Sequence, residues 1–517
     1  MPSEVRLAEL VASLSLATDL GLGLPQEHVL RQTVIARRLA HFAGLDEAAQ
    51  SDTFYVSLLA WVGCISDSHE LSHWFGDDRK IRADSYEVDK IGLPMMRLML
   101  SHVAPDAPPL RRLTTIGRFL AGGYRDAVDG FIAHCQTTGD IADRLGLEHV
   151  QGALAHAFER WDGKGVPGTV RGAQIDPVMR VVQIADDAEV FVSSGGVAVA
   201  LDMLRSRRGT EFDPSLVDIC IDKADEIFGD LDAINAWASV IDDHTALDRR
   251  IPEGELGDAL EIFADYADLK SPWYLGHSRA VAELAASAAH IAGMTGEQIA
   301  LVRHAGLVHR LGASGVSTAI WNKATPLSAA EEERLRQVPY FTERILCHQP
   351  RLATIGAVAG MAFERLDGSG YPRGLTAASI PSTARLLAAA ATYQQLAEAR
   401  PDRPPLDMGE RRAAVLREVN AGRLDGGSVD AVLVAAGHPV RRRRQAVAGL
   451  TTREIDVMDL LVRGLSNKEI AARLSITQRT VATHIEHIFI KTGVSTRGAA
   501  AMYALRHGLV DASNSTD

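Results

Sequence analysis

Apolar residues recur at helical spacing through residues 1–440 of the chain. Val281, Leu284, Ala285 and Ala288 are one example, and together they would form a stripe along a helix. No stretch shows the sustained alternation with a period of two that a half-buried strand requires. The pattern therefore predicts that this part of the chain is all-helical. The first 21 residues predict an amphipathic helix and lack the layout of a signal peptide.

The last part of the chain carries local signals for four short helices. The T-x-x-E and S-x-x-E patterns at Thr451–Glu454 and Ser466–Glu469 are capping boxes that open the first two helices. Gly464 ends the first helix, and Thr477 caps a third. A fourth is expected at residues 496–507. Two short helices joined by a tight turn are typical of a helix-turn-helix.

The third of these helices separates apolar and polar residues onto two faces. With Val481, Ile485 and Ile488 turned inward, its outward face offers donors and acceptors suited to the base edges of the major groove. Threonines at the helix start and nearby lysines suit phosphate contacts. The predicted DNA-contacting residues are Lys468, Thr477, Gln478, Arg479, Thr480, Thr483, His487 and Lys491.

The motifs LTxRE, GLSNKEIAxxL and TVxTHIxxIxxKxGV closely resemble the LuxR-type DNA-binding domain, over about 60 residues. The resemblance implies a four-helix module that binds DNA as a dimer, with its third helix in the major groove. Ala482 departs from the pattern, because lysine is usual there, and Arg479 could partly replace the lost cation. The alternative interpretation is a small bundle that only packs or dimerises.

An internal repeat occupies most of the chain ahead of this segment. AFERWDGKGVPGTVRG at residues 157–172 corresponds to AFERLDGSGYPRGL at residues 362–375, and each glycine motif predicts a loop between helices. His28 and His277 each precede a His-x-Ala-Gly segment at identical spacing, and the first copy holds about 40 extra residues. The predicted fold is all-α: helical bundles at residues 10–240 (the first repeat) and 255–436 (the second repeat), a basic linker at 437–448 and a helix-turn-helix domain at 449–511.

The glycine motif ERLDGSGYPRGL, together with HAGLVHRLG at residues 304–312, resembles the HD-GYP branch of the HD phosphohydrolases. The resemblance covers most of the second repeat and, less closely, the first. It implies helical bundles with a two- or three-metal centre that hydrolyse phosphodiesters, typically cyclic di-GMP. Imidazole and carboxylate ligands hold divalent cations in such a centre, and the cations lower the pKa of a bound water and neutralise developing phosphate charge.

The metal-ligand positions implied by this resemblance are largely replaced. The His-Asp pair is His309-Arg310 in the second repeat, where a cation stands for a bridging carboxylate, and Gly63-Cys64 in the first. The two histidines before the glutamate are also lost in both repeats. The candidates that remain are His28, Glu159 and Asp186 in the first repeat and His277, His309 and Glu364 in the second.

Neither set of remaining residues predicts a binuclear centre, and no cofactor is expected. We interpret these residues as polar groups satisfied by hydrogen bonds inside the bundles. A retained single-metal site or a ligand pocket is the alternative. Glu159-Arg160 and Glu364-Arg365 are expected to be ion pairs that fix the glycine loops.

The net charge of −12 is unfavourable for a DNA-binding protein, but the acidic residues are unevenly distributed along the chain. Residues 441–517 hold 12 Lys and Arg against 7 Asp and Glu, so the acidic excess lies earlier in the chain. The run Arg441–Arg444 is either a solvated linker or a further phosphate contact.

The overall composition is that of an ordinary globular protein, with 46% hydrophobic and 23% charged residues. No apolar run approaches the roughly 18–20 residues that would cross a bilayer, so we expect a cytoplasmic protein without membrane contact. The cysteines, which lack CxxC spacing, are expected to be small core residues; they are Cys64, Cys135, Cys220 and Cys347.

These features favour a one-component transcriptional regulator. It would bind double-stranded DNA as a homodimer, and its HD-GYP-like repeats would be sensory, dimerisation or regulatory modules. A small-molecule or nucleotide effector is left open as a further partner. No phosphoacceptor receiver domain is expected, because the N-terminal half of the chain is helical and resembles the second repeat. The alternative is a cyclic di-GMP phosphodiesterase with a DNA-binding tail, and an interaction scaffold is a third reading.

Overall fold

The structure, a computed structural model, describes residues 4–105, 107–231, 233–241, 249–438 and 450–506. The chain forms two compact units, one ending at His438 and one beginning at Pro439. Both are helical, which confirms the predicted fold class. Most of the linker predicted at residues 437–448, including Arg441–Arg444, lies outside the described residues.

The N-terminal half of the first unit contains the first repeat. A 3₁₀ turn at Val62–Ile65 follows its third helix. Its α-helices are α1 (Leu7–Leu22), α2 (His28–Phe42), α3 (Glu47–Leu59), α4 (Ser68–Phe75), α5 (Asp78–Ser85), α6 (Gly92–His102), α7 (Pro109–Arg118), α8 (Tyr124–Arg144), α9 (Gln151–Leu154), α10 (Pro177–Gly195), α11 (Val197–Arg207), α12 (Pro214–Asp222), α13 (Ala224–Phe228) and α14 (Ala236–Ile241).

The second half of this unit contains the second repeat, with a 3₁₀ turn at Leu311–Gly315. A short antiparallel pair, β1 (Val5–Arg6) with β2 (Arg250–Ile251), joins the two halves. The α-helices are α15 (Leu256–Asp268), α16 (His277–Ile291), α17 (Gly296–Val308), α18 (Thr318–Trp321), α19 (Ala329–Arg336), α20 (Val338–Leu346), α21 (Pro350–Ala359), α22 (Ser382–Ala397), α23 (Met408–Asn420) and α24 (Gly426–Ala435).

Corresponding helices of the two repeats begin in the same way. Helix α2 starts at His28 and α16 at His277, each directly after a residue with positive φ, Glu27 at 71° and Gly276 at 78°. Helix α2 packs on α3 and α10, and α16 packs on α17 and α22. The packing therefore agrees with the internal repeat, while the domain boundaries stay a prediction because both repeats share one compact unit.

Helix α1 lies between the two repeats. It contacts the turn at Val62–Ile65 on one side and the turn at Leu311–Gly315 on the other. Its serines are buried with the apolar residues, and Ser13 and Ser15 donate hydrogen bonds to carbonyls of the same helix. The prediction of an amphipathic helix is therefore wrong here. The helix is buried almost all round, and its short hydroxyl side chains satisfy themselves on the helix backbone.

The second unit is a four-helix module. It contains α25 (Thr452–Val462), α26 (Asn467–Leu474), α27 (Gln478–Thr492) and α28 (Arg497–Arg506). Apolar side chains from all four helices form its core, among them Met458, Ile470, Val481 and Ala500. The fourth helix was predicted at residues 496–507, and the last of these residues lies outside the described part of the chain.

The helices and the cysteines can be compared with two further predictions. No helix in the described parts of the chain combines the length and the apolar character needed to cross a membrane. The cysteines have free thiols, and Cys220 is buried whereas Cys347 is exposed. The core placement expected for every cysteine is therefore wrong for Cys347, which ends α20 at the surface.

Candidate functional site

Each helix of the helix-turn-helix begins with the predicted side-chain cap. Thr451 and Ser466 form capping boxes with the glutamates three residues later, and the Thr477 hydroxyl accepts a hydrogen bond from Thr480 N at 3.1 Å. Ser475 lies between α26 and α27 with a φ of 53°. This left-handed residue makes the tight turn that fixes where α27 begins.

The rotation of α27 is fixed by its apolar anchors. Val481, Ile485 and Ile488 are all buried in the core of the second unit, as predicted. The polar side of the helix is consequently turned out of that core. Every predicted DNA-contacting residue is exposed: Lys468, Thr477, Gln478, Arg479, Thr480, Thr483, His487 and Lys491. Their contact with DNA stays a prediction.

Lys491 has a structural partner that sequence reasoning missed. Its Nζ lies 2.7 Å and 3.0 Å from the two carboxylate oxygens of Glu454, and His487 Nδ1 lies 3.7 Å from the same carboxylate. Burial disfavours the charge on Glu454, but the hydrogen bonds from Lys491 and Thr451 lower its pKa to about 2. Lys491 therefore connects α27 to α25. To contact a DNA phosphate, its ammonium group would have to divide its hydrogen bonds between Glu454 and the phosphate.

In the first repeat, His28 lies fully buried between two carboxylates. Its Nε2 is 3.0 Å from Asp186 Oδ1, and its Nδ1 contacts Glu189, which also pairs with Arg31. Burial disfavours the imidazolium, but the charges of Glu189 and Asp186 raise the pKa of His28 to about 10. Both ring nitrogens of His28 are therefore already engaged by carboxylates. The geometry supports the interpretation of His28 as a satisfied polar group.

In the second repeat, the candidate histidines are neutral and only partly satisfied. His277 Nδ1 lies 2.7 Å from Glu398 Oε2, and His309 Nδ1 lies 2.7 Å from Gly306 O. Burial lowers the pKa of His277 to about 4 and that of His309 well below its ordinary value. Their rings are 5.5 Å apart between centroids. These imidazoles could act as ligands, so the group beside them decides what the site can hold.

That neighbouring group is the guanidinium of Arg310. It is 3% exposed, and its central carbon lies 3.2 Å from the centroid of the Tyr274 ring and 4.8 Å from that of Trp321. The Arg400 guanidinium also lies over Tyr274, at 3.8 Å. The aromatic rings hold two fixed cations by cation–π contacts. A divalent metal ion beside His309 would be repelled by them.

Glu159 and Glu364 fix the two glycine loops by accepting hydrogen bonds from the loop backbone, which the sequence did not indicate. Glu159 Oε1 accepts a hydrogen bond from Thr169 N at 2.8 Å, and Glu364 Oε1 accepts one from Arg373 N at the same distance. The expected ion pairs with the arginines that follow are replaced by these bonds, because the tight loop presents free amide groups to each carboxylate. A side chain at Gly165 would collide with the backbone of Glu159.

The residues present do not fit the metal centre that the HD-GYP resemblance implies. Within the described ranges, no group of three or more His, Cys, Asp and Glu side chains is arranged to hold a metal ion. His28 is held by the carboxylates of Asp186 and Glu189, and Arg310 places a fixed cation beside His309. Sequence reasoning missed the partners Glu189 and Glu398. Glu189 could have been found, because it lies one turn after Asp186 on the same face of α10.

Comparisons with known proteins assign families to two segments of the chain. Residues 261–427 match the HD domain family, and residues 448–504 match the family described as bacterial regulatory proteins, luxR family. The 3'3'-cGAMP-specific phosphodiesterase 3 of Vibrio cholerae serotype O1 is 27% identical over 421 residues, which are 80% of this chain and 90% of the relative. The 3'3'-cGAMP-specific phosphodiesterase 1 of the same organism is 32% identical over 181 residues, 33% of this chain and 40% of the relative.

Two further similarities complete the comparison. The response regulator protein VraR of Staphylococcus aureus is 38% identical over 79 residues, 15% of this chain and 38% of the relative. A solved structure of a cyclic GMP-AMP-specific phosphodiesterase from V. cholerae superposes with a TM-score of 0.59 and 23% identity, covering 85% of this chain and 99% of that one. The fold likeness therefore extends well beyond the residues matched as an HD domain. The chain therefore contains one segment that matches the HD domain family, residues 261–427, and one that matches the luxR family of bacterial regulatory proteins, residues 448–504.

Proposed function

We propose that this protein is a DNA-binding transcriptional regulator that binds double-stranded DNA as a homodimer. The observation that carries the proposal is the exposed polar face of α27, held outward by Val481, Ile485 and Ile488. A rigid helix with donors and acceptors on one face suits the major groove. The match of residues 448–504 to the luxR family supports the same role.

Mapping the genomic sites that the protein occupies in cells tests this proposal. The full chain is compared with a chain that lacks residues 438–517. We expect the full chain to be enriched at a limited set of promoter fragments and the shortened chain to lose every enriched site, because the proposed DNA contacts all lie in the removed segment. Uniform, weak recovery of all genomic fragments by both chains would contradict the proposal.

In this proposal the two repeats are regulatory modules, whether for sensing, dimerisation or both, and they no longer hydrolyse phosphodiesters. Two buried features support this. The first is the contact of both ring nitrogens of His28 with the carboxylates of Asp186 and Glu189. The second is the Arg310 guanidinium next to His309. A divalent metal ion would have to displace the partners of His28 in the first repeat, and it would lie beside the fixed Arg310 cation in the second.

A second candidate function is a cyclic-dinucleotide phosphodiesterase with a DNA-binding tail. The observation that favours it is the similarity to the V. cholerae relatives named as 3'3'-cGAMP-specific phosphodiesterases. By that analogy the substrate would be 3'3'-cGAMP or cyclic di-GMP, and the second repeat would hold the site, since His277 and His309 remain there as neutral imidazoles.

Metal content and turnover separate the two candidates. We expect purified full-length protein to retain much less than one equivalent of iron or manganese per chain and to leave 3'3'-cGAMP and cyclic di-GMP intact in Mn²⁺, because Arg310 repels the cation. The 3'3'-cGAMP-specific phosphodiesterase 3 of V. cholerae, assayed alongside, serves as the control. Hydrolysis of either cyclic dinucleotide by the parent chain that is lost in His309→Ala would show that the second repeat is a phosphodiesterase. It would contradict the proposal that this repeat is only regulatory.

A further inference from the structure

The first repeat contains a cavity of about 170 Å³ whose lining is mostly apolar. The helices α4 to α6 and the chain between them supply large apolar side chains: Leu71, Phe75, Ile81, Ile91, Met95 and Met99. Further aromatic rings of the lining contact one another, since Trp61 and Phe131 lie 6.0 Å and 4.5 Å from Phe158 between ring centroids. A flat apolar guest would therefore meet side chains that pack well against a ring.

The carboxylates of the lining are buried and already bonded inside the protein. Asp186 and Asp187, for example, are each 1% exposed. The pairs are Asp67 with Arg82, Asp186 with His28 and Tyr86, Asp187 with Lys90 and Arg207, Glu211 with Arg207, and Glu159 with the amide of Thr169. A ligand would first have to break one of these bonds, so these groups are not available to it.

Lys164 is the charged group of the lining that solvent reaches most freely. Its side chain is 71% exposed, against 29% for Lys90, which is bonded to Asp187. Among the described residues, the carboxylate nearest to Lys164 Nζ is that of Asp162, at 4.0 Å, which is beyond hydrogen-bond distance. Lys164 belongs to the glycine loop, and the loop of the second repeat has Ser369 in its place. The accessible charge at this cavity is therefore positive, and the second repeat has no counterpart of it in its loop.

We propose that this cavity binds a small aromatic carboxylate, with its ring among the apolar side chains and its carboxylate paired with the ammonium group of Lys164. An apolar cavity of about 150 Å³ is known to admit benzene, so the observed volume suits one ring. It lies below the roughly 300–1,000 Å³ of sites for drug-sized ligands, so a cyclic dinucleotide is too large. A carboxylate makes a charge-assisted hydrogen bond with an ammonium group, which a purely apolar molecule cannot make. The assignment deepens the sensory role proposed above and rests on it for its biological meaning, whereas the binding itself is tested alone.

Phenylacetate and phenylacetamide are the probes, because they have nearly the same shape and differ in charge. The full chain is titrated with each by calorimetry. We expect one phenylacetate per chain, bound about tenfold more tightly than phenylacetamide, because only the carboxylate pairs with the ammonium group of Lys164. In Lys164→Met the two affinities should become equal within about twofold, since the cation is lost and the apolar cavity remains.

Lys80→Met is the matched control for the charge. Lys80 is an exposed lysine of α5, and its side chain lies outside the cavity lining. The substitution should leave the affinities for both probes unchanged. Equal effects of Lys80→Met and Lys164→Met would show that the net charge of the chain, rather than a contact with Lys164, sets the preference, and would overturn the assignment.

Met95→Trp tests the cavity itself, with Met96→Trp as its control. Both methionines are partly buried in α6, but only Met95 belongs to the lining. Met95→Trp should abolish binding of both probes, whereas Met96→Trp should keep it. Lys164→Met changes an exposed side chain and decides the matter if Met95→Trp does not fold.

The assignment is overturned if the full chain does not bind phenylacetate, if it binds both probes equally, or if Lys164→Met keeps the preference for phenylacetate. A chain that binds phenylacetate but no DNA would contradict the proposed function and leave this site standing. A chain that binds DNA but not phenylacetate would contradict this site and leave the proposed function standing.

Discussion

The double variant Arg479→Ala, Thr483→Ala is expected to lose about 100-fold or more in affinity for the promoter fragments that the full chain occupies in cells. Both side chains are exposed on the polar face of α27, one helical turn apart. A base contact of this kind is worth about 1–3 kcal/mol, and each 1.4 kcal/mol is tenfold in affinity. The remaining affinity should be that of non-specific DNA. Gel-shift titration against a retrieved fragment and a scrambled fragment measures the change.

The fold of the module should survive this change. Neither side chain belongs to the core built on Val481, Ile485 and Ile488. Among the described residues, the Thr483 hydroxyl donates to Arg479 O within the same helix, and alanine favours helix more than either residue. Thermal melting of the variant should therefore match the parent. Arg463→Ala is the matched control, because Arg463 is an exposed arginine paired with Asp459 at the end of α25. Equal gel-shift affinity in parent and double variant would refute the assigned recognition face.

The helix-turn-helix was predictable from the sequence because its determinants are local. Each capping box lies within four residues, and the anchors of α27 repeat at helical spacing. Local reasoning missed the bond between Glu454 and Lys491, which joins residues that are 37 positions apart. A capping glutamate gives no sign in the sequence that a lysine of another helix shares it.

The buried candidate residues of the two repeats were less predictable, because burial and distant partners determine their chemistry. The departures from the HD-GYP ligand pattern could be counted in the sequence, but the raised pKa of His28 depends on Glu189 from another helix. The sequence shows Arg310 directly after His309, but it does not show that the guanidinium stacks on the ring of Tyr274. Residues far apart in the chain set the electrostatics of both sites, so spacing alone could not supply them.

A fully buried ion pair also joins the two repeats, and Asp78→Asn is expected to weaken that junction severely. Asp78 Oδ2 lies 2.6 Å from Lys270 Nζ, and its Oδ1 accepts a hydrogen bond from Thr318 N at 2.8 Å. Asp78 and Lys270 are both 0% exposed. Burial disfavours the charged carboxylate, but Lys270 and Arg82 lower its pKa to about 2. Removing one partner of a buried pair costs about 3–5 kcal/mol, because the other charge stays buried without compensation.

Thermal and denaturant unfolding of the full chain measures this loss, with Asp218→Asn as the control. Asp218 pairs with Arg208 at 2.6 Å on the surface, and its loss should leave the unfolding midpoint unchanged. Adding Lys270→Met to Asp78→Asn should recover part of the stability, since the orphaned charge is then gone. Equal midpoints for the parent and Asp78→Asn would show that the buried pair does not hold the repeats together.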